Sequence, residues 1–95
     1  MSAADTVRVE LFGMARLRAG RREVVVPWRP GLTLGDLPAQ VAAACPVLQG
    51  RVVDASGGLA QGLVFNLNGR DFLRDPATPI QPGASLLLLS ADGGG

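Results

Sequence analysis

Side chains that could perform chemistry are scarce in this chain of 95 residues. There is no His, and all nine basic residues are Arg, so Lys is absent as well. These absences exclude a Ser–His or Cys–His triad, Schiff-base chemistry and the lysine of a phosphate-binding loop. Cys45 is the only cysteine, which excludes an intrachain disulfide and a thiolate cluster for zinc or iron–sulfur. The composition therefore predicts no metal site and little catalysis by the protein's own side chains.

A glycine-rich C-terminal segment offers a different kind of chemistry, through its backbone. The last residues are Ser90-Ala91-Asp92-Gly93-Gly94-Gly95. Glycine has no Cβ, so nothing shields the terminal carbonyl from a nucleophile, and the slim chain can enter a narrow crevice. At about 3.3–3.6 Å per extended residue, the segment could reach roughly 20 Å into a partner's active site. Taken in isolation, such a tail is more simply a frayed end or a cloning remnant.

The length and the net charge of the chain limit the classes of protein to which it could belong. A chain of 95 residues makes one small domain, and its net charge of +1 lacks the excess of basic residues expected of a nucleic-acid binder. No apolar run approaches the ~20 residues that a membrane span needs. The polar start from Met1 to Asp5 is unlike a signal peptide. We therefore expect a cytoplasmic protein with no nucleic-acid or membrane partner.

Alternating and apolar runs predict a sheet. In the first run Val7, Val9 and Leu11 face one way, while Phe12 falls on the opposite, outward face. The predicted strands are Val7–Phe12, Glu23–Val26, Leu63–Leu67, a short return over Arg70–Leu73 and Leu86–Leu89. The first two form a hairpin through a loose, Arg-rich connection, and Asn68-Gly69 predicts a type I′ turn. Residues 49–62 are predicted to be a long loop, with a candidate short strand at Val52-Val53.

The segment from Thr33 to Cys45 has the spacing of apolar residues that is typical of an amphipathic helix. Its apolar residues recur at three and four positions and form one stripe, made of Leu34, Leu37, Val41 and Ala44. Thr33 and Asp36 are spaced like a capping box, whereas Pro38 fits a helix that begins after Asp36. The start of the helix stays open between these two residues. Pro46 ends the helix.

This order of elements predicts an α+β fold with one main helix packed on one face of a mixed sheet. If the first and last strands pair in the middle of the sheet, they run parallel, which is the β-grasp (ubiquitin-like) order. We expect residues 1–89 to form this domain. Residues 90–95 would form a flexible tail that ends in Gly-Gly.

The ordered set of elements resembles the ThiS/MoaD family of ubiquitin-like sulfur carriers over almost the whole chain. The likeness is carried by Val7–Phe12 with Gly13, by Thr33–Leu37, by Asn66–Gly69, by Thr78–Ser85 and by the terminal Gly94-Gly95. Two features depart from the usual tail of the family, namely the acidic Asp92 and the third glycine, Gly93.

The resemblance implies that the protein is a cosubstrate and not an enzyme. The Gly95 carboxylate would attack the α-phosphate of ATP on an adenylating enzyme of the ubiquitin-activating type, and a sulfur nucleophile would then displace AMP to leave a thiocarboxylate. Gly93 and Gly94 would thread the tail into that enzyme. The chain itself would bind no cofactor, since the partner uses the ATP. Molybdopterin synthesis is the favoured pathway, with a large molybdopterin synthase subunit as sulfur acceptor; cysteine, thiamine or a sulfur-containing metabolite remain alternatives.

Partner contacts are predicted on the outward side of the sheet. Four consecutive leucines cannot all point inward, so two of Leu86 to Leu89 must face away from the helix. Phe12, Leu87 and Leu89 are therefore candidates for a docking patch, because exposed apolar patches mark contacts. Ordinary edge packing or cover by a loop would explain them equally. Asp92, close to the reactive end, is a further candidate for selecting the activating enzyme.

Two other functions stay open. The activated tail could instead be joined to lysines of target proteins, which would make the chain a protein modifier. Alternatively, the domain could be an interaction module without tail chemistry, and its partner binding would then survive removal of the tail.

Overall fold

Five strands form one mixed sheet, and residues 5–91 are the part of the chain that the computed structural model describes. The strands are β1 (Thr6–Leu11), β2 (Glu23–Pro27), β3 (Leu63–Leu67), β4 (Asp71–Leu73) and β5 (Ser85–Ser90). The helices are α1 (Gly13–Ala19) and α2 (Leu37–Ala44). The order in the sheet is β2-β1-β5-β3-β4. The predicted β-grasp arrangement of a mixed sheet with a main helix is confirmed.

β1 and β5 pair in parallel at the centre of the sheet, as the sequence predicts. The register places Val9 beside Leu86 and Leu11 beside Leu88. β1 pairs antiparallel with β2, and β3 pairs antiparallel with both β4 and β5. β5 is therefore hydrogen-bonded on both sides, and the segment that follows it leaves from the middle of the sheet.

The core lies between one face of the sheet and α2. Alternate strand residues point into it and are almost fully buried, among them Val7, Val9, Leu11, Val24, Val26, Phe65, Leu86 and Leu88. From the helix, Leu37 and Val41 fill the same layer. Each such side chain contributes about 1.5–3 kcal/mol when it leaves water. We call the opposite side of the sheet, away from α2, the outer face.

Both predicted starts of the main helix are present in the structure. Thr33 donates its backbone N–H and its hydroxyl to Asp36 Oδ2, each at 3.0 Å. This capping box encloses a 3₁₀ turn over Leu34–Asp36. The α-helical residues then begin at Leu37, with Pro38 in the first turn, where a missing N–H costs nothing. The 3₁₀ turn thus accommodates both the cap and the proline.

The capping box predicts a pH dependence of stability. Two hydrogen bonds from Thr33 hold the pKa of Asp36 below its ordinary value. The bond from the backbone N–H has the largest effect and the bond from the hydroxyl the next largest, while the charge of Arg29 contributes less. Because the folded pKa is depressed, the stabilisation is complete above about pH 4 and is lost as the pH falls through the folded pKa. Asp36→Asn should therefore unfold more easily at pH 7, by roughly 1 kcal/mol, and should lose less stability on acidification.

Urea unfolding at pH 7 and at pH 3 would measure both effects. Asp71→Asn is a suitable control, because Asp71 is exposed on β4 and makes no ion pair within residues 5–91. Identical pH slopes for the two variants would contradict the role of Asp36.

The connection between β1 and β2 corrects the sequence prediction. Instead of a loose loop, it contains α1, which Gly20 ends in the left-handed region at φ 69°. The backbone N–H of Gly20 donates to the Arg16 carbonyl at 3.0 Å. Only Ala15 of this helix is buried, so no apolar stripe marks it in the sequence.

The long loop before β3 packs against the core through Val52 and Val53, which are almost fully buried. The candidate strand there is not a strand of the sheet: Val53 forms single bridges with Gln49 and Leu59. Within the part of the chain described, no helix has the length and apolar character needed to cross a membrane.

Candidate functional site

The central strand β5 leads into the predicted reactive tail. Ser90, its last residue, lies opposite Leu63 of β3. The backbone N–H of Ala91 then donates to the Gly62 carbonyl at 2.8 Å. The chain is thus held to the body of the domain up to Ala91. The candidate tail residues Asp92, Gly93, Gly94 and Gly95 lie outside the described residues.

The leucine run splits between the two faces of the sheet, as predicted. Leu86 and Leu88 are fully buried in the core, whereas Leu87 and Leu89 are half-buried on the outer face. β5 therefore presents a leucine pair on the side of the sheet that α2 does not cover.

Phe12 lies at the end of β1 next to this pair. Its backbone N–H donates to the Leu88 carbonyl at 3.1 Å. Since Leu11 lies beside Leu88 in the ladder, the next residue along, Phe12, falls beside Leu89. Phe12 is 37% exposed. The structure therefore brings the three apolar docking candidates to one region of the outer face, near the point where β5 ends.

The outer face also carries polar side chains. One row across the sheet runs Glu23, Glu10, Leu87, Asn66 and Phe72, from β2 to β4. Arg8 pairs with Glu23 at 3.3 Å, but both side chains are well exposed, so this ion pair adds at most about 1 kcal/mol. Phe72 is 56% exposed on the edge strand β4. From Glu10 to Phe72 the row alternates acceptors with apolar side chains.

Asn66 is the residue of this face that the sequence analysis missed. It is only 5% exposed, and within residues 5–91 its Oδ1 is a buried side-chain atom without a hydrogen-bond partner. A buried amide oxygen left without a donor costs about 1–3 kcal/mol. The available signal was an asparagine inside an otherwise apolar strand, Leu63-Val64-Phe65-Asn66-Leu67, where such a residue is disfavoured.

A second apolar feature flanks the end of β5. α1 exposes Met14 and Leu17 to solvent, and Arg16 and Arg18 lie in its last turn. The sequence analysis missed these residues too, because it placed a loop there.

A cavity of about 390 Å³ lies on the other side of the molecule, between the start of α2 and the β3–β4 hairpin. Its lining is mainly apolar and includes Leu34, Pro38, Leu59, Leu63 and Leu73, with Arg74 as its ionisable side chain. A single guanidinium cannot serve as an acid–base pair. The cavity therefore supplies no candidate catalytic set.

Solved structures with the same fold include small archaeal modifier proteins. The crystal structure of SAMP1 from Haloferax volcanii superposes with a TM-score of 0.78 at 27% identity, covering 95% of this chain and 99% of that one. Another crystal structure of the H. volcanii small archaeal modifier protein 1 gives 0.74 at 26% identity, with 87% and 93% covered. The solution structure of SAMP1 from Methanosarcina acetivorans, at 19% identity, gives 0.71, with 95% and 96% covered.

The chain has the fold of the ubiquitin-like β-grasp proteins of the ThiS/MoaD type. No protein-family model and no curated protein sequence matches it. The predicted resemblance is thus confirmed by structural comparison, over nearly the whole length of both chains. In a ubiquitin-like protein of this type, the outer face with Phe12, Leu87 and Leu89 is the candidate docking surface, and the segment beyond Ala91 is the candidate reactive tail.

Proposed function

We propose that the protein is a ubiquitin-like sulfur carrier whose Gly95 carboxylate is activated and converted to a thiocarboxylate. The observation that carries this proposal is the agreement of fold with the small archaeal modifier proteins, over 95% of the chain at 27% identity. The position of β5 supports it: the strand that precedes the glycine-rich sequence lies in the centre of the sheet, beside the half-buried Leu87 and Leu89 of the outer face.

The chemistry follows from the poor reactivity of a carboxylate. An oxygen of the Gly95 carboxylate attacks the α-phosphorus of ATP, and pyrophosphate leaves. The resulting acyl-adenylate has AMP as a good leaving group. Sulfide attacks the acyl carbon, the C–O bond to AMP breaks with its electron pair, and a thiocarboxylate remains. Where the nucleophile is a protein persulfide, an acyl disulfide forms first and a second thiol reduces it.

The catalytic groups for these steps belong to the partners. We propose an adenylating enzyme of the ubiquitin-activating type, which binds the ATP, and a sulfur acceptor such as a large molybdopterin synthase subunit. Molybdopterin synthesis is the favoured pathway. Cysteine, thiamine or another sulfur-containing metabolite are the alternatives. The chain acts as a cosubstrate that brings one carbonyl carbon to each partner in turn.

A second candidate is a protein modifier. The observation that favours it is that similar solved structures are those of small archaeal modifier proteins. On this proposal a lysine amine, instead of sulfur, attacks the activated carbonyl and forms an isopeptide bond. Because the chain has no Lys, it could not be extended into polymers through its own side chains.

Intact-mass measurement separates these functions. The purified protein is incubated with ATP, sulfide and the adenylating enzyme encoded by the same genome. We expect a shift equal to the exchange of one oxygen for one sulfur, confined to the C-terminal peptide. A reaction without ATP is the control. The absence of a shift, with the enzyme active on another carrier, would contradict the carrier proposal, and isopeptide-linked conjugates in cell extract would favour the modifier.

A further inference from the structure

A cleft of about 240 Å³ lies between α1 and the loop that precedes β3. Part of its lining is apolar and comes from Ala15, Val52 and Leu63. Arg18 of the helix and Arg51 of the loop also line the cleft, whereas no acidic side chain does. Both arginines are exposed, and neither makes an ion pair within the described part of the chain. The cleft therefore combines an apolar surface with two cations that have no counter-ion there.

Two guanidinium groups on one cleft favour a carboxylate as the ligand. Each guanidinium presents a planar fork of N–H donors that matches the two oxygens of a carboxylate. Gln61 lines the same cleft, and its side-chain amide is a further donor. Hydrogen bonds between such charged groups are about twice as strong as those between neutral groups.

The place of the cleft in the sheet indicates where this carboxylate comes from. β5 lies between β1 and β3, and the cleft is lined by Met14, which follows β1, and by Gln61, which precedes β3. The backbone N–H of Ala91 donates to the Gly62 carbonyl at 2.8 Å. Gly62 lies between Gln61 and Leu63, which both line the cleft. The chain therefore leaves the sheet at the edge of the cleft.

We infer that the cleft binds the protein's own C-terminus, with the α-carboxylate of Gly95 on Arg18 and Arg51. The four residues that follow Ala91 extend at most about 13–14 Å, so their end reaches only sites near the end of β5. They carry two negative charges, on Asp92 and on the terminal carboxylate, which equal in number the two guanidinium charges. Three of the four are glycines, so they bring little side-chain volume into a small cleft.

This contact shields the terminal carboxylate. Because the ligand is tethered, its effective concentration at the cleft is on the order of millimolar, and a modest affinity is enough to occupy the site. A bound terminus is withheld from any enzyme that acts on it, and the apparent affinity of such an enzyme falls in proportion to the fraction that is free. The inference goes beyond the proposed chemistry, because it requires neither ATP nor sulfur.

The test observes the terminal carboxyl group directly. The protein is produced with glycine labelled at its carboxyl carbon, and the pKa of Gly95 is measured by NMR titration. Core methyl signals recorded at each pH show whether the protein remains folded. The variants are Arg18→Gln, Arg51→Gln and the two combined. Arg16→Gln is the matched control, because Arg16 lies on the same helix but outside the lining of the cleft. The rate at which a carboxypeptidase releases Gly95 at neutral pH is the second measurement, and it does not depend on stability in acid.

We expect the wild-type Gly95 carboxyl to have a pKa below the ordinary α-carboxyl range of about 3.3–3.7, since two nearby cations favour its charged form. In the double variant the pKa should rise by at least about 0.5, because both cations are removed. The carboxypeptidase should then release Gly95 at least about threefold faster, because the free fraction of the terminus increases. Arg16→Gln should leave the release rate within about a factor of 1.5.

Three results would overturn the inference. An ordinary wild-type pKa, with equal release rates in all variants, would show that the cleft does not hold the terminus. Equal effects of Arg16→Gln and the double variant would show that the general positive charge of the helix acts on the carboxylate, and not the cleft. A depressed pKa without slower release would refute the shielding. Neither measurement uses ATP, sulfur or an adenylating enzyme, so a failure here is distinct from a failure of the proposed function.

Discussion

Deletion of Gly95 is expected to lower the rate of adenylation by at least about 100-fold. The shortened chain still ends in two glycines, Gly93 and Gly94, so the type of the terminal residue is unchanged. The deletion shortens the distance that the tail can span from the domain, since one extended residue spans about 3.3–3.6 Å. A misplacement of about 1 Å at a reacting centre already lowers the rate about 100-fold. The reason is that the attacking oxygen, the α-phosphorus and the departing pyrophosphate oxygen must lie in line.

The fold should not change in this variant. The last backbone contact described is the one from Ala91 to Gly62, and Gly95 lies four positions further on. Unfolding temperature and urea midpoint should therefore equal those of the wild type. Pyrophosphate exchange measures the loss of activation, and deletion of Ser2, one residue at the other end, is the size-matched control. Wild-type exchange in the Gly95 deletion would place the reactive group elsewhere and would contradict the proposed chemistry.

The elements that could be predicted from the sequence are those with a local signal. The capping box at Thr33 and Asp36 fixes the entry to α2 through bonds within four residues. Asn68 and Gly69 adopt φ angles of 57° and 76°, the positive pair that a type I′ turn requires. Strict alternation in β1 placed its buried face correctly. In each case the physical cause lies within a few residues, so the order of amino acids reveals it.

The features that escaped prediction depend on tertiary structure. α1 buries a single alanine, Ala15, and a helix with one inward residue leaves no period to detect. The importance of Asn66 arises only when β3 is placed between β5 and β4, which buries the amide among neighbours that come from distant parts of the chain. Sequence reasoning found Phe12, Leu87 and Leu89 because they are apolar, and it passed over Asn66 because one polar residue in a strand carries no period.

Two adjacent leucines should respond in opposite ways to truncation. Leu88 is 0% exposed and pairs with Leu11 on one side and with Phe65 on the other. Leu88→Ala removes three buried carbons and leaves a cavity, so we expect a loss of about 2–5 kcal/mol. A small domain has a total stability of about 5–15 kcal/mol, so this single change removes a large share of it.

Leu87→Ala is the matched variant, with the same chemical change one residue earlier. Leu87 is half-buried on the outer face, so its truncation should cost about 1 kcal/mol or less in stability. If the outer face docks the adenylating enzyme, the same change should lower kcat/KM for pyrophosphate exchange about tenfold, because a central apolar contact is lost.

Urea unfolding together with exchange kinetics at low temperature, where Leu88→Ala remains folded, distinguishes the two roles. A destabilised but folded Leu88→Ala protein should keep near-normal kcat/KM, since the substitution lies in the core. Equal losses of activity in both variants would mean that the leucine run acts only through stability. If Leu88→Ala loses stability but not activity, and Leu87→Ala loses activity but little stability, successive residues of one strand have different roles. One stabilises the fold and the next contacts a partner. That alternation is the physical reason why an apolar run of four leucines can be retained in a strand with one side open to solvent.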